Sequence, residues 1–251
     1  MDPAILVHYH IFKNAGTSVD AALRRHFGNR WAAFEGAHAH DVKSSSELRA
    51  FLDANPHVRA VSSHLARPPL PTRGSVPIVF LRHPLLRARS VYEFTRRDAA
   101  QPFREATSGS FADYLRWALS GAQGGVVVRD YQVIHLSSAS FCAEGILAAN
   151  ATETQLREAI ALLDRWPVIG VVERYEQSLR LMERAYADLF PGLVLRAEHL
   201  NRAAEPADEA ALGRELGEDL LRQFQSRNRL DYGLYEYALQ RLAVLSRQHG
   251  L

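Results

Sequence analysis

Ala4-Ile-Leu-Val-His-Tyr-His-Ile-Phe-Lys-Asn-Ala-Gly-Thr-Ser18 passes from an apolar run through a glycine-containing turn into a helical pattern. Ala4 to Phe12, rich in Ile, Val, Tyr and Phe, predicts a first buried strand. Asn14-Ala-Gly16 turns the chain, and Thr17 with Asp20 resembles a capping box that opens a helix. Val19, Leu23 and Phe27 give that helix an apolar face, and Gly28 is its expected stop. A strand, a tight turn and a helix start together make an anion cradle. Unpaired N–H groups point outward there, and the helix dipole favours negative charge. Lys13, Asn14, Ala15, Gly16, Thr17 and Ser18 occupy this turn. The same segment also reads as an ordinary strand-to-helix turn with a capping threonine. Its lysine is one of only two, Lys43 being the other, in a chain with 28 arginines. Lysine is a compact point charge where arginine is a planar fork, which points to charge building on a single oxygen.

Working outward, Pro77 to Leu81 predicts a wholly apolar strand of a parallel sheet covered on both faces. Val58 to Ser63 is another strand, expected beside the first, and a proline-rich loop, Arg67-Pro-Pro-Leu-Pro71, follows it. Residues 29–45 read as loop, and Leu48, Phe51 and Leu52 as a short helix ending before Pro56. Pro84 suits the first position of a helix. Further helices are expected from Phe111 to Leu119, from a Thr152 cap to Trp166, and from Ser178 to Leu189. Gly124 to Ser140 reads equally as strand or buried helix. Val168 to Val172 predicts a buried strand, and Val194 with Leu195 a last one. The tail from Asp208 to Gln248 is helical, broken near Asn228–Asp231. The alternation implies α/β architecture, with residues 1–251 as one domain, a central parallel sheet flanked by helices and a helical C-terminal region.

Composition narrows the function. A formal net charge of +2 without a basic tail argues against wholesale nucleic-acid binding. Basic residues instead concentrate locally, at Arg82, Arg87, Arg89, Arg96, Arg97 and Arg104, as a local anion site requires. Cys142 is the only cysteine, so no intrachain disulfide is expected. The first apolar run is short, holds two histidines and lacks a basic flank, so it reads as a strand and not a signal peptide. No stretch approaches membrane-spanning length, and the expected compartment is the cytoplasm.

The turn is not a Walker A loop, since its lysine precedes its only glycine. The Pro77–Leu81 strand runs into Arg82 rather than an acidic metal ligand, which disfavours a magnesium-dependent kinase or ATPase. Arg82 at that strand's end and Ser90 on the early turns of the following helix form a second phosphate-type pocket. Two such sites at neighbouring strand ends suit a nucleoside carrying phosphates at both ends.

Phe12-Lys-Asn-Ala-Gly-Thr-Ser18 and Leu81-Arg-His-Pro-Leu-Leu-Arg-Ala-Arg-Ser-Val-Tyr92 resemble the 5′-phosphosulfate and 3′-phosphate motifs of sulfotransferases that use 3′-phosphoadenosine 5′-phosphosulfate (PAPS). Val168-Ile-Gly-Val-Val-Glu-Arg-Tyr-Glu-Gln-Ser-Leu179 and Asn228-Arg-Leu-Asp-Tyr-Gly-Leu-Tyr235 are similar to the branch holding heparan sulfate 2-O- and 6-O-sulfotransferases and their bacterial relatives. One departure is Phe12, where that family usually has proline. The resemblance implies a P-loop-like α/β fold and in-line transfer of a sulfuryl group from PAPS to an acceptor hydroxyl, of a saccharide or glycolipid, with release of PAP and no metal. It assigns Lys13, Asn14, Ala15, Gly16, Thr17 and Ser18 to the 5′-phosphosulfate and Arg82 and Ser90 to the 3′-phosphate. Lys13 would stabilise charge on the bridging oxygen.

Transfer to an alcohol needs a general base, a task that favours histidine. His64, just after the Val58–Ser63 strand, occupies the position that related glycan sulfotransferases use. Arg67, Arg73, His38, His40 and Glu173 are candidate acceptor contacts. Surface arginines, a plain loop and a salt-bridged strand end are their structural alternatives. His8 and His10 share a strand face, but no acidic partner is evident at ligand spacing, so packing is expected. Rival readings are sulfation of a tyrosine, lipid or natural-product hydroxyl, or a non-catalytic protein that binds PAP.

Overall fold

A computed structural model describes residues 4–195 and 208–251. Among the described residues six short strands form the sheet: β1 Ile5–Tyr9, β2 Trp31–Ala33, β3 Ala60–Ser63, β4 Ser75–Ile78, β5 Phe80–Leu81 and β6 Gly170–Val171. The helices are α1 Gly16–Phe27, α2 Ser45–Ala54, α3 Pro84–Arg97, α4 Phe111–Leu119, α5 Tyr131–Leu136, α6 Glu153–Arg165, α7 Tyr175–Ala185, α8 Glu209–Leu216, α9 Glu218–Arg227 and α10 Arg229–Gln248.

Every pairing is parallel. The order β2-β3-β1-β4 is extended by β5-β6, since only Val79 separates β4 from β5 and its carbonyl accepts from Gly170 N at 2.9 Å. One strand thus pairs with β1 through its first half and with β6 through its second. All five residues of β1 are buried, as a strand covered on both faces requires. Helices flank the sheet, α1 packing against β2 and β3, and α7 and α10 against β6. The main core gathers Leu6, Val61, Phe80 and Val171 of the strands with Leu23, Leu179 and Leu234 of the helices. A second cluster joins α3, α4, α8 and α9. Among the described residues no helix is long and apolar enough to cross a membrane.

β1 leads through α1 toward β2 on one side, while β5 leads through α3 toward β6 on the other. The chain therefore reverses its winding between β1 and the β4–β5 strand, where open α/β sheets bind ligands beyond their carboxyl ends. The Lys13 and Arg82 turns flank this switch point.

Several elements differ from expectation. Residues 29–45 include the edge strand β2, which at three residues is too short to show a pattern in sequence and forms by pairing with β3. Gly124–Ser140 holds a 3-10 turn, Gln123–Val128, followed by α5. Val194 and Leu195 form no strand; the Leu195 N–H is taken by the Glu183 carboxylate at 2.7 Å. The proposed Thr17–Asp20 capping box is absent. Ala15 is the N-cap in the left-handed region, with no side-chain cap, and Asp20 is engaged elsewhere.

Candidate functional site

The turn after β1 places Lys13 at φ 67° and Ala15 at φ 63°. Left-handed non-glycine residues cost roughly 1–2 kcal/mol each, so something must hold them. The buried Asn14 amide does so, donating to Phe80 O at 2.7 Å and to Gln132 Oε1 at 2.8 Å. Such hydrogen bonds contribute about 1 kcal/mol each. Left-handed residues interleaved through a turn direct backbone N–H groups into a concave anion-binding nest. Gly16 and Thr17 then open α1 ahead of its first backbone bond, Ser18 N to Ala15 O at 3.1 Å. Thr17 is exposed, while Ser18 is buried near Tyr175.

The Arg82 turn is clamped to the first. Arg82 donates through Nη1 to Lys13 O at 3.0 Å, and its Nε is buried without a hydrogen-bond partner among the described residues. Gln132 accepts from Arg82 N at 2.9 Å and donates to Arg82 O at 2.9 Å while also holding Asn14. Asp231 in turn accepts from Gln132 N and Val133 N. Asp130 accepts from Leu230 N and Asp231 N, so each aspartate caps the other's helix. The fully buried Arg87 backs the assembly, donating to Phe12 O and Val127 O. Ser90 sits half-buried on α3. The Lys13 ammonium lies 4.2 Å from the Phe94 ring centre. Burial, with Arg82 and Arg97 nearby, pushes its pKa down to about 8, so it remains largely charged at neutral pH.

On the β3 side, parallel register pairs His8 with Ser62 and Tyr9 with Ser63. Strand alternation then puts His8, His10, Ser62 and His64 on one face, the face α1 covers. Asp20 of α1 meets both strand histidines, its Oδ1 accepting from His8 Nδ1 at 2.7 Å and its Oδ2 from His10 Nδ1 at 3.0 Å. This corrects the expectation that His8 and His10 lack an acidic partner. The three side chains bring ligand-type atoms within 4.8 Å of one another. The contacts have hydrogen-bond lengths, and the two imidazoles lie within 19° of parallel, whereas a shared ion must lie near both ring planes. The arrangement is a carboxylate shared by two imidazole N–H groups. Burial lowers the His10 pKa to about 4 against the opposing pull of Asp20, leaving the ring neutral. Burial alone would raise Asp20, but its bonds to His10 and His8 prevail and hold it well below the usual carboxylate range.

His64 is half-exposed and paired with Glu35. One Glu35 oxygen lies 2.9 Å from His64 Nδ1, and the same carboxylate accepts the His64 backbone N–H. The carboxylate thereby fixes an Nδ1–H tautomer and leaves the Nε2 lone pair available. Glu35, Asp20 and Gln132 are the polar residues that sequence reasoning missed.

The expected acceptor contacts separate. Arg67 turns inward, 1% exposed, donating to Ser140 Oγ and to the carbonyls of His64 and Ala66. Its position supports the His64 turn instead of reaching an acceptor. Arg73 is exposed beside Gly74, whose carbonyl pairs with the start of β1. It therefore lies at the amino end of the sheet, opposite the cradle. His38 and His40 stack on each other in the exposed loop that carries Glu35, at the carboxyl end. Glu173 accepts the His83 N–H at 3.2 Å and lies 4.0 Å from Arg82 Nε, which makes it a brace for the second turn.

No family model matches this sequence. The chain is similar to an uncharacterized protein of Archaeoglobus fulgidus, 29% identical over 251 residues, covering 94% of this chain and 96% of that one. Among solved structures it is similar to a sulfotransferase from Alicyclobacillus acidocaldarius over 94% of this chain and 95% of the other, at 14% identity and a TM-score of 0.47. A superposition that loose bears on neither fold nor reaction.

Proposed function

We propose that this chain is a sulfotransferase that moves a sulfuryl group from PAPS to an acceptor hydroxyl, of the saccharide class, and releases PAP. The observation that carries this reading is the juxtaposition of a lysine-bearing anion nest and a carboxylate-held histidine on the adjacent strands β1 and β3. The motif resemblance at Lys13–Ser18 and Arg82–Ser90 supports it independently.

The residues suit the ligand. The nest and Lys13 offer N–H groups and one cation to a phosphosulfate. The buried Arg82 Nε, which makes no hydrogen bond among the described residues, and the Ser90 hydroxyl suit a terminal phosphate. PAPS supplies the activated sulfuryl group. Lys13 meets the negative charge that grows on the leaving oxygen, which a fixed cation in a desolvated site does effectively. His64 takes the acceptor's proton at Nε2, while Glu35 keeps the tautomer and stabilises the imidazolium that results, the part an acid plays behind a catalytic histidine elsewhere.

The test has two parts. PAP should raise the melting temperature more than ATP with magnesium at equal concentration, by mass action on the native state. Preference for ATP overturns the assignment. Labelled PAPS, offered with saccharide, tyrosine, lipid and natural-product hydroxyls, should give transfer that His64→Ala lowers by about 10²–10⁴-fold while PAP affinity holds. PAP binding without transfer to any acceptor would replace the enzyme by a nucleotide-binding protein.

A further inference from the structure

The proposed base rests on a second histidine. Register carries β1 and β3 out of the sheet at the same level, Tyr9 beside Ser63, so His10 and His64 emerge side by side. The His10 N–H still donates to Ser63 O at 2.9 Å, which keeps the ladder closed to this point. The two imidazole centres are 3.7 Å apart, with planes tilted by 30°. That is contact of face on face, and a proton moving in the plane of one ring finds no nitrogen of the other.

His10 is itself restrained from three sides. Asp20 holds Nδ1 in the ring plane. Gly16 lies against its opposite edge, where a Cβ would fall 2.0 Å from Cδ2 and Nε2. His64 covers its face. The glycine of the anion nest is therefore needed for room: a side chain there would displace the imidazole. Neutral His10 offers His64 an uncharged aromatic face, with the Asp20 carboxylate behind it. Glu35 meets the other edge of His64, and Arg67 binds its carbonyl.

We infer that His10, anchored by Asp20 and seated on Gly16, is the positioning residue for His64, fixing the plane of that ring and hence the direction of its Nε2 lone pair. This rests on the reading of His64 as base. It also makes the nest and the base one mechanical unit, because the residue under His64 is wedged against the first residue of α1. A ring free to rotate about its Glu35 hydrogen bond would lose aim without losing binding, and misplacement near 1 Å costs on the order of a hundredfold.

The experiment pairs a spectroscopic and a kinetic readout. In protein labelled with ¹³C-histidine, the His64 ring protons, assigned by their loss in His64→Asn, should resonate upfield through the ring current of His10. His10→Ala should move them back downfield and lower kcat by about ten- to a hundredfold, with PAP Kd within about twofold. Asp20→Asn, which keeps the shape of the side chain, should give both effects in the same direction and smaller. It decides the matter where His10→Ala does not fold. Unchanged His64 ring shifts in these variants, or an unchanged kcat in active enzyme, overturn the inference. A wild-type chain that transfers no sulfuryl group overturns the proposed reaction instead, and the ring shifts then decide the stack on their own.

Discussion

The turns after β1 and β5 start alike, each a strand running into a helix, but the groups gathered on their two sides differ in kind. Toward β3 lie three imidazoles and two carboxylates: His8, His10, His64, Asp20 and Glu35. Toward β6 lie the guanidinium and amide groups of Arg82, Arg87, Asn14 and Gln132, whose charges do not change at physiological pH, with the Glu173 carboxylate beside Arg82. A proton can be taken up and released on the first side. On the second an anion meets guanidinium groups that keep their charge. Lys13 stands between them, with its backbone bound to Arg82 and its side chain over α3.

The difference breaks most sharply at Lys13. Lys13→Ala should cut transfer by about 10²–10³-fold, as loss of a preorganised electrostatic contact does, read with labelled PAPS on protein of unchanged melting temperature. Loss of PAP binding alone would make this lysine an anchor and remove it from the reacting end.

The imidazole side should also betray itself in acid. His10, lowered to about 4, and His135, lowered well below its ordinary value by burial and Arg67, stay neutral in the native state while the unfolded chain protonates them. The His10 contribution is thus complete above pH 6.5 and is lost as pH falls toward 4, by up to about 3 kcal/mol, and His135 acts in the same direction. Melting temperatures across that range should fall, and less so in His10→Ala. A flat profile would mean that the cluster takes protons when folded.

Next in size comes a crossed pair. Arg82→Ala should weaken PAP binding by about 10–100-fold, the value of a charged hydrogen bond, while Glu35→Gln should lower kcat by about tenfold and leave PAP Kd alone. Calorimetry with PAP and steady-state rates separate the two. Exchange of these phenotypes would erase the distinction between the sides.

The smallest effect lies behind the clamp. Burial and the nearby Asp231 raise the Asp130 pKa to about 7, so this group favours the fold when protonated and loses that advantage as pH rises from 4 through 7. Asp130→Asn keeps an oxygen for Leu230 N and Asp231 N and should raise the melting temperature at pH 8 by about 2–4 °C, what roughly 1 kcal/mol gives at this size. It should give no gain at pH 4.

Local signals were legible where one segment carries its own reason. Thr152 with Gln155 forms the capping box that opens α6, Pro84 stands at the first position of α3, and Phe111–Leu119 is α4 from end to end. The apolar run at Pro77–Leu81 showed its strand but not that the strand divides its pairing between β1 and β6. What stayed hidden depends on register and on partners far along the chain. Glu35 is an unremarkable loop acid until β2 and β3 bring it 2.9 Å from His64. Asp20 looked like half of a capping box because its partners, His8 of β1 and His10 just beyond it, meet it only when α1 folds back over that face of the sheet. Gln132 sat in a Val-rich stretch whose apolar neighbours masked one polar side chain aimed at two turns. The position of His64 was legible from its motif, while the ring beneath it required the alignment of two parallel strands, and a slip of one residue would have sent it to the other face.

The contact between His10 and Gly16 has a consequence for descent. With a Cβ at position 16 only 2.0 Å from the imidazole, the two sites cannot drift separately. A lineage that gains a side chain at 16 must first shrink the residue at 10, and one that keeps histidine at 10 is confined to glycine at 16. Positions 10 and 16 should therefore covary in related chains as a single inherited character.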